Sequence, residues 1–186
     1  SRSKCLNFQK KDKILYFDLN NPNTKIKKIN LQNNIKNIVF INNAATIIPI
    51  VPSKKIKLND LNKSLNINFI TPFFIIQDVL KKISNTKKKL LIINITSKAA
   101  ELKVKSWLAY SISKKSLKTS LDYLAFENKN INVIHYNPGV MDTKMQKQIR
   151  DKTSLHMPDV NIYKNLKKND KLNDPKQVAE KIYKKI

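Results

Sequence analysis

The chain has 186 residues, enough for one domain over 1–186 with a sizeable core and too few for two. Its 37 Lys and Arg against 13 Asp and Glu give a net charge of +24. That charge lies on Lys spread along the chain, with Arg only at Arg2 and Arg150, so the Arg and stacked aromatics of a nucleic-acid reader are missing.

The abundance of Lys, Asn and Ile reads as compositional drift, and a functional basic surface is the competing reading. The single Cys5 excludes an internal disulfide and fits a reducing compartment. Two His and one Cys argue against a structural zinc site, so no metal is expected. No apolar run approaches the roughly 18–20 residues that span a bilayer. No signal peptide is visible, and the expected location is the cytoplasm.

In chain order, the first short apolar run is Ile14-Leu15-Tyr16-Phe17, ending at Asp18. The second, Ile38-Val39-Phe40-Ile41, ends at Asn42-Asn43. A polar, helical-looking stretch from Asn59 to Ile83 follows, with Pro72 expected to kink it. The third run, Leu90 to Ile95, ends at Thr96-Ser97, and a second helix is expected over Leu108 to Glu127. The fourth run, Ile131 to Tyr136, ends at Asn137-Pro138-Gly139. The Lys-rich stretch 164–171 reads as a solvated loop or helix face. A last helix, Pro175 to Lys185, has Asp174 as N-cap and Pro175 at its first position. Short β-branched runs bounded by polar residues are the pattern of buried parallel strands. Their alternation with helices predicts an α/β fold with a doubly wound parallel sheet. Ligands of such sheets sit beyond the carboxyl ends of the strands, where Asp18, Asn42, Ser97 and Pro138-Gly139 fall.

Tyr110 and Lys114, four residues apart, share one helix face. The spacing alone is weak, because Tyr163 and Lys167 repeat it. Context separates the pairs: Ser97, thirteen residues before Tyr110, closes a strand, whereas Arg150 stands at that distance from Tyr163 with no strand before it. A free Tyr has a pKa of about 10, and a cation four residues away is expected to lower it. Trp107 is expected to pack near the cleft mouth and His135 to be structural.

Asn94-Ile95-Thr96-Ser97 followed by Trp107-Leu108-Ala109-Tyr110-Ser111-Ile112-Ser113-Lys114 resembles the active site of short-chain dehydrogenases/reductases. Asn42-Asn43-Ala44-Ala45 resembles that family's Asn-Asn-Ala-Gly turn, with Ala45 in place of Gly. Asn68 matches the family's helix Asn, Pro138-Gly139-Val140-Met141-Asp142-Thr143 its Pro-Gly…Thr segment, and Asp18-Leu19 its adenine-side acidic residue. Within the family, Asn137 to Gln146, Trp107 to Tyr110 and Asn165 to Leu172 are similar to sepiapterin reductases and their benzil reductase-like relatives.

The resemblance implies a Rossmann-like sheet and a catalytic set of Ser97, Tyr110, Lys114 and Asn68. Reducing a carbonyl needs a hydride donor and a proton donor for the developing alkoxide; Tyr110 would be the acid in reduction and the base in the reverse direction, with Ser97 hydrogen-bonding the substrate oxygen. Lys114 would also hold the nicotinamide ribose, and Asn68 a water linking Lys114 to solvent. Cofactor contacts would fall on Arg2, Ser3, Asp18, Leu19, Asn42, Asn43, Ala44, Tyr110, Lys114, Pro138, Gly139, Val140 and Thr143. Arg2-Ser3 sits where the family's second strand ends. A basic residue there would pair with a 2′-phosphate, which favours NADP over NAD. The implied substrate is a small diketone or pterin-like carbonyl compound, and the implied assembly a homodimer or tetramer.

The family's Gly-rich pyrophosphate turn is absent: the one Gly is Gly139. The central strand that carries this turn and a C-terminal strand after Ile186 are also missing, so the fold is expected to be incomplete at both ends. Two explanations stand: a piece of a normal enzyme of roughly 230–260 residues, or a degenerate, non-catalytic interaction protein that keeps the scaffold.

Overall fold

The computed structural model describes residues 17–23 and 34–186. Three strands are seen among them: β1 (Asn37–Asn42), β2 (Lys89–Ile95) and β3 (Ile131–Tyr136). They pair in parallel in the order β1-β2-β3. The register aligns Asn42 with Asn94 and Asn94 with His135. The α/β reading with a parallel sheet holds, and the last three strand predictions coincide with these strands. The first run, 14–17, lies outside the described residues except for Phe17. No reversal of strand order falls within these three strands.

Helices α1 (Leu58–Leu65) and α2 (Thr71–Ile83) connect β1 to β2, and α3 (Leu108–Glu127) connects β2 to β3. The expected Asn59–Ile83 helix is present, but a π-helical turn, Asn66–Ile70, joins its halves. Pro72 has no N–H to donate, and the wider turn before it takes up the misfit. Beyond β3 come α4 (Lys144–Arg150), α5 (Val160–Lys168) and α6 (Pro175–Tyr183). Helix α6 opens as expected, with Asp174 Oδ1 accepting from Lys176 N at 3.2 Å and Pro175 following it. The stretch 164–171 lies mostly on α5, an amphipathic helix whose Val160 is buried.

The main core lies between the helices and one face of the sheet. Ile76, Ile83, Ile92, Leu117 and Leu121 are fully buried there, with Phe17, Leu19 and Phe40 packed around them. Each such Ile or Leu stabilises the layer by about 1.5–3 kcal/mol relative to exposure. Strand alternation sends Val39 and Ile41 to the opposite face, where they are 40% and 50% exposed. A second core joins the post-β1 loop (Ile47, Ile50) to Trp107, Tyr110, Ile149, Met157 and Val160. It fastens α4 and α5 beside the start of α3. No helix among the described residues is long and apolar enough to cross a membrane.

Candidate active site

Ser97 leaves β2 in extended geometry and caps a short 3-10 turn, Lys98–Ala100, by accepting from Ala99 N at 3.2 Å. The chain then turns through Ser106, at φ 68°, into α3. This path brings the first turn of α3 back to the end of β2. There the Tyr110 hydroxyl hydrogen-bonds the Ser97 side chain. Tyr110 is buried and makes an edge-to-face contact with Trp107 at 5.8 Å between ring centres.

One turn on, Lys114 is 3% exposed. Its Nζ donates to the Ile95 carbonyl at 2.9 Å and lies 5.9 Å from the centre of the Tyr110 ring. Burial lowers the Lys114 ammonium to about 8, so it remains largely charged at neutral pH. Burial raises the Tyr110 phenol, and the Ser97 hydrogen bond only partly opposes this. The sequence expectation was a lowered phenol. Here the loss of water around the ring dominates, leaving Tyr110 a protonated donor at neutral pH.

Asn68, on the π-helical turn, is 1% exposed. Its Oδ1 accepts from Thr46 N at 2.7 Å, and its Nδ2 donates to Thr46 O at 2.8 Å and to Ser113 Oγ at 3.0 Å. Ser113 Oγ in turn donates to the Tyr110 carbonyl at 2.8 Å. Asn68 therefore clamps the post-β1 loop to the back of α3, and its side-chain partners do not include Lys114.

Asn42 is buried and donates to Asn94 Oδ1 at 3.0 Å. Asn94 Nδ2 meets His135 Nδ1 at 3.1 Å, and His135 Nε2 meets Asp122 Oδ1 on α3 at 2.8 Å. The Asn42 side chain is thus committed to the sheet, which leaves the exposed Asn43 and Ala44 at the strand end. This polar row also gives His135 its structural part. Asn94 entered the sequence reading only as the first residue of the segment ending at Ser97, and Asp122 bears no motif signal. Aligning the polar ends of the strand runs would have exposed Asn94, whereas Asp122 required the α3–β3 contact.

Pro138 is buried, and Gly139 takes φ 72°, a conformation that Gly adopts without strain. Thr143 caps α4, accepting from Gln146 N at 3.3 Å. Asp18 Oδ1 accepts from Asn20 N at 2.9 Å, and Leu19 packs on the main core. Arg2 and Ser3 lie outside the described residues. Ser97, Tyr110, Lys114 and the Asn68 clamp therefore come together, while Asp18 and Leu19 stand by the α1–α2 junction, where Asn66 Nδ2 donates to Asn20 O at 3.1 Å.

Buried polar atoms without partners lie along this wall: Thr96 Oγ1 beside Ser97, Trp107 Nε1, and Gln146 Nε2 on α4. A cleft of about 550 Å³ opens nearby, lined by Leu102, Leu108, Ser111, Ile112 and Lys115 among others. Those α3 residues lie on the side of the helix away from Tyr110 and Lys114, so this cleft is separate from the Ser97–Tyr110–Lys114 wall.

The short chain dehydrogenase family model matches residues 7–154. A benzil reductase ((S)-benzoin forming) of Bacillus subtilis is 31% identical over 146 residues, covering 76% of this chain and 60% of that protein. The sepiapterin reductase of Bos taurus is 28% identical over 153 residues, covering 80% and 56%. A solved short-chain dehydrogenase/reductase from Saccharomyces cerevisiae superposes with a TM-score of 0.67 at 27% identity, covering 73% of this chain and 54% of that one. The chain thus spans little more than half to three-fifths of the length of these relatives. The family and both kinds of reductase agree with the resemblance read from the motifs. With the family model matching well over half of its residues, this chain belongs to the short-chain dehydrogenase family.

Proposed function

We propose that these residues form the catalytic part of an NADPH-dependent carbonyl reductase acting on a small diketone or pterin-like carbonyl compound. The observation that carries the reading is the Ser97–Tyr110 hydrogen bond beside the buried Lys114. The similarity to a benzil reductase and a sepiapterin reductase supports the substrate class.

The chain offers a fit for a nicotinamide nucleotide. Thr96, at the carboxyl end of β2 next to Ser97, keeps a buried hydroxyl without a protein partner, which a nucleotide bound there could engage. Lys114, Tyr110, Asn42, Asn43, Ala44, Pro138, Gly139, Val140 and Thr143 would hold the nicotinamide half. Asp18 and Leu19 would meet the adenine, and Arg2 with Ser3 the 2′-phosphate, hence NADPH in preference to NADH. When bound, the cofactor supplies the hydride.

Ser97 orients the substrate carbonyl by hydrogen-bonding its oxygen. The Tyr110 hydroxyl gives its proton to that oxygen as charge develops there, and the O–H electron pair stays on Tyr110 as phenolate. The Lys114 cation stabilises this phenolate across a desolvated gap. In the reverse direction the phenolate takes the proton back. Asn68 acts from behind, fixing the α3 turn that carries Tyr110.

The test uses the full-length gene product, following NADPH oxidation spectrophotometrically with a vicinal diketone. Turnover by the unaltered protein, and a loss of about a thousandfold in Tyr110→Phe, is the expected result. Equal turnover by both proteins would sink the mechanism.

One observation favours a second reading: a chain with a single Gly has no Gly-rich turn for the pyrophosphate. A non-catalytic scaffold would show no heat of NADPH binding by calorimetry. For the reductase, the family resemblance further suggests a cytoplasmic homodimer or tetramer joined through α1–α2 and α3. Phe74 on α2 and Tyr123 and Phe126 on α3 are exposed there. Light scattering reads that state.

A further inference from the structure

Asn173 belongs to none of the motifs above and lies between α5 and α6, yet it contacts most of the turn that follows β3. Its Nδ2 donates to the Pro138 carbonyl at 2.8 Å. Its main-chain N donates to Val140 O at 2.8 Å, and its main-chain O accepts from Asp142 N at 3.1 Å, forming a parallel bridge with Met141. Gly139 sits between the first two contacts, its own N–H donating to Asn137 Oδ1 at 3.0 Å. A Cβ on Gly139 would lie 2.6 Å from Asn173 Nδ2, so the Asn173 amide occupies the space a side chain would need.

The two ends of this turn are secured differently. At the far end Asp142 is also held by Lys167 at 2.7 Å and Arg150 at 3.6 Å. At the near end the Pro138 carbonyl relies on the Asn173 side chain. Removing that side chain leaves the two main-chain bonds and both ion pairs in place. It releases the Pro138 end alone.

We propose that Asn173 is a positioning residue whose side-chain amide sets the Pro138–Val140 turn against the nicotinamide half of the cofactor. The inference rests on the cofactor reading above and adds a residue to it. Asn173 does not touch the reacting atoms. It acts through the Pro138 carbonyl, fixing the turn before the cofactor arrives, so that less ordering is needed on binding.

The test is calorimetric titration of the full-length gene product with two ligands: NADPH, and 2′-phospho-ADP-ribose, which lacks the nicotinamide. Loss of one hydrogen bond to the turn is expected to weaken NADPH binding about fivefold in Asn173→Ala, with 2′-phospho-ADP-ribose unchanged. Asn173→Asp, nearly the same size but unable to donate, should behave alike, and it carries the test if Asn173→Ala does not fold. Gly139→Ala should weaken NADPH further. Adding Asn173→Ala to it should recover part of that loss by relieving the 2.6 Å contact. Unchanged NADPH affinity in both Asn173 variants would overturn the proposal. Equal weakening of both ligands would also overturn it, since that is the mark of a general structural defect. If the unaltered protein binds neither ligand, the cofactor reading fails first and this inference with it.

Discussion

Tyr110–Lys114 on α3 and Tyr163–Lys167 on α5 share one spacing but stand in opposite settings. Lys167 is half exposed, and its Nζ is paired with the Asp142 carboxylate at 2.7 Å. Its charge is met by an anion and by water. Lys114 is buried, with a main-chain carbonyl as its hydrogen-bond partner. The Lys114 ammonium thus meets a carbonyl rather than a carboxylate, and the ring it faces, 5.9 Å from its Nζ, is that of Tyr110. Tyr163 instead packs its ring on Trp107, 5.4 Å between centres, as part of the second core. An i,i+4 pair thus provides a shared helix face, and the strand end beneath that face decides whether the pair can do chemistry.

The largest expected difference lies in the phenols. Tyr110→Phe should lower kcat by about a thousandfold, within the usual range for loss of a general acid, whereas Tyr163→Phe should stay within about twofold. Steady-state NADPH oxidation by the two variants checks this. Comparable losses in both would mean that the pairs are not distinguished by their surroundings.

The next difference concerns stability, and its sign is opposite to that for activity. Burial holds the Lys114 ammonium at about 8, below its ordinary 10.5. The unfolded chain therefore binds more protons than the folded one between these values. Unfolding free energy should rise as pH goes from 8 to 10.5, and the penalty of the buried charge is fully present below pH 8. Replacing the ammonium in Lys114→Met removes a penalty of about 3 kcal/mol, offset by about 1 kcal/mol for the orphaned Ile95 carbonyl. The variant should be inactive yet more stable at pH 7, by urea denaturation. The same titration predicts that kcat/KM for reduction declines above about pH 8 as Lys114 loses its proton. Lower stability of Lys114→Met at pH 7 would show that the charge is better solvated than its burial implies.

How much of this was legible in the sequence depends on which interactions are local. The strand ends at Asn42, Ser97 and Pro138 could be read because each strand is a short apolar run closed by polar or turn residues, even in β1, where one face is left open. The span and start of α3 were legible for a similar reason. The direction of the Tyr110 shift was not, because it depends on desolvation by Ile47, Ile50 and Met157, residues brought in from distant loops. The partners of Asn68 and Asn42 were not legible for the same cause. A spacing motif names the residue but not its partner, and both side chains found partners in other segments, Thr46 with Ser113 and Asn94. Asn173 was illegible altogether: one Asn among many, defined by a turn more than thirty residues earlier.

Asn68 sharpens the contrast further, since α3 has a buried amide clamp behind the face that carries Tyr110, whereas the buried residue of α5 is the apolar Val160. Asn68→Ala would strand the Thr46 N–H and carbonyl and free Ser113, at a cost of about 2–3 kcal/mol for unsatisfied buried groups. Chemical denaturation reads that cost. A loss below about 0.5 kcal/mol would mean that the post-β1 loop is held elsewhere.

The smallest expected effect is at Asp122, the outer end of the polar row that ties α3 to the sheet. Burial is the largest single influence and raises its carboxyl, but the hydrogen bonds and charges of His135 and Lys118 together outweigh it and hold it below the ordinary range. A depressed carboxylate contributes stability that is present above the unfolded-state pKa and lost as pH falls through the folded-state value. The Asp122 side chain is half exposed, so solvent screening keeps the contribution below about 1 kcal/mol. Asp122→Asn should therefore be slightly less stable than the unaltered protein at pH 7 and match it in strong acid, with little change in kcat. If the gap instead persisted undiminished into strong acid, the Asp122 carboxylate would be acting through packing rather than charge. The row from Asn42 to His135 would then hold α3 in place without its ionic end.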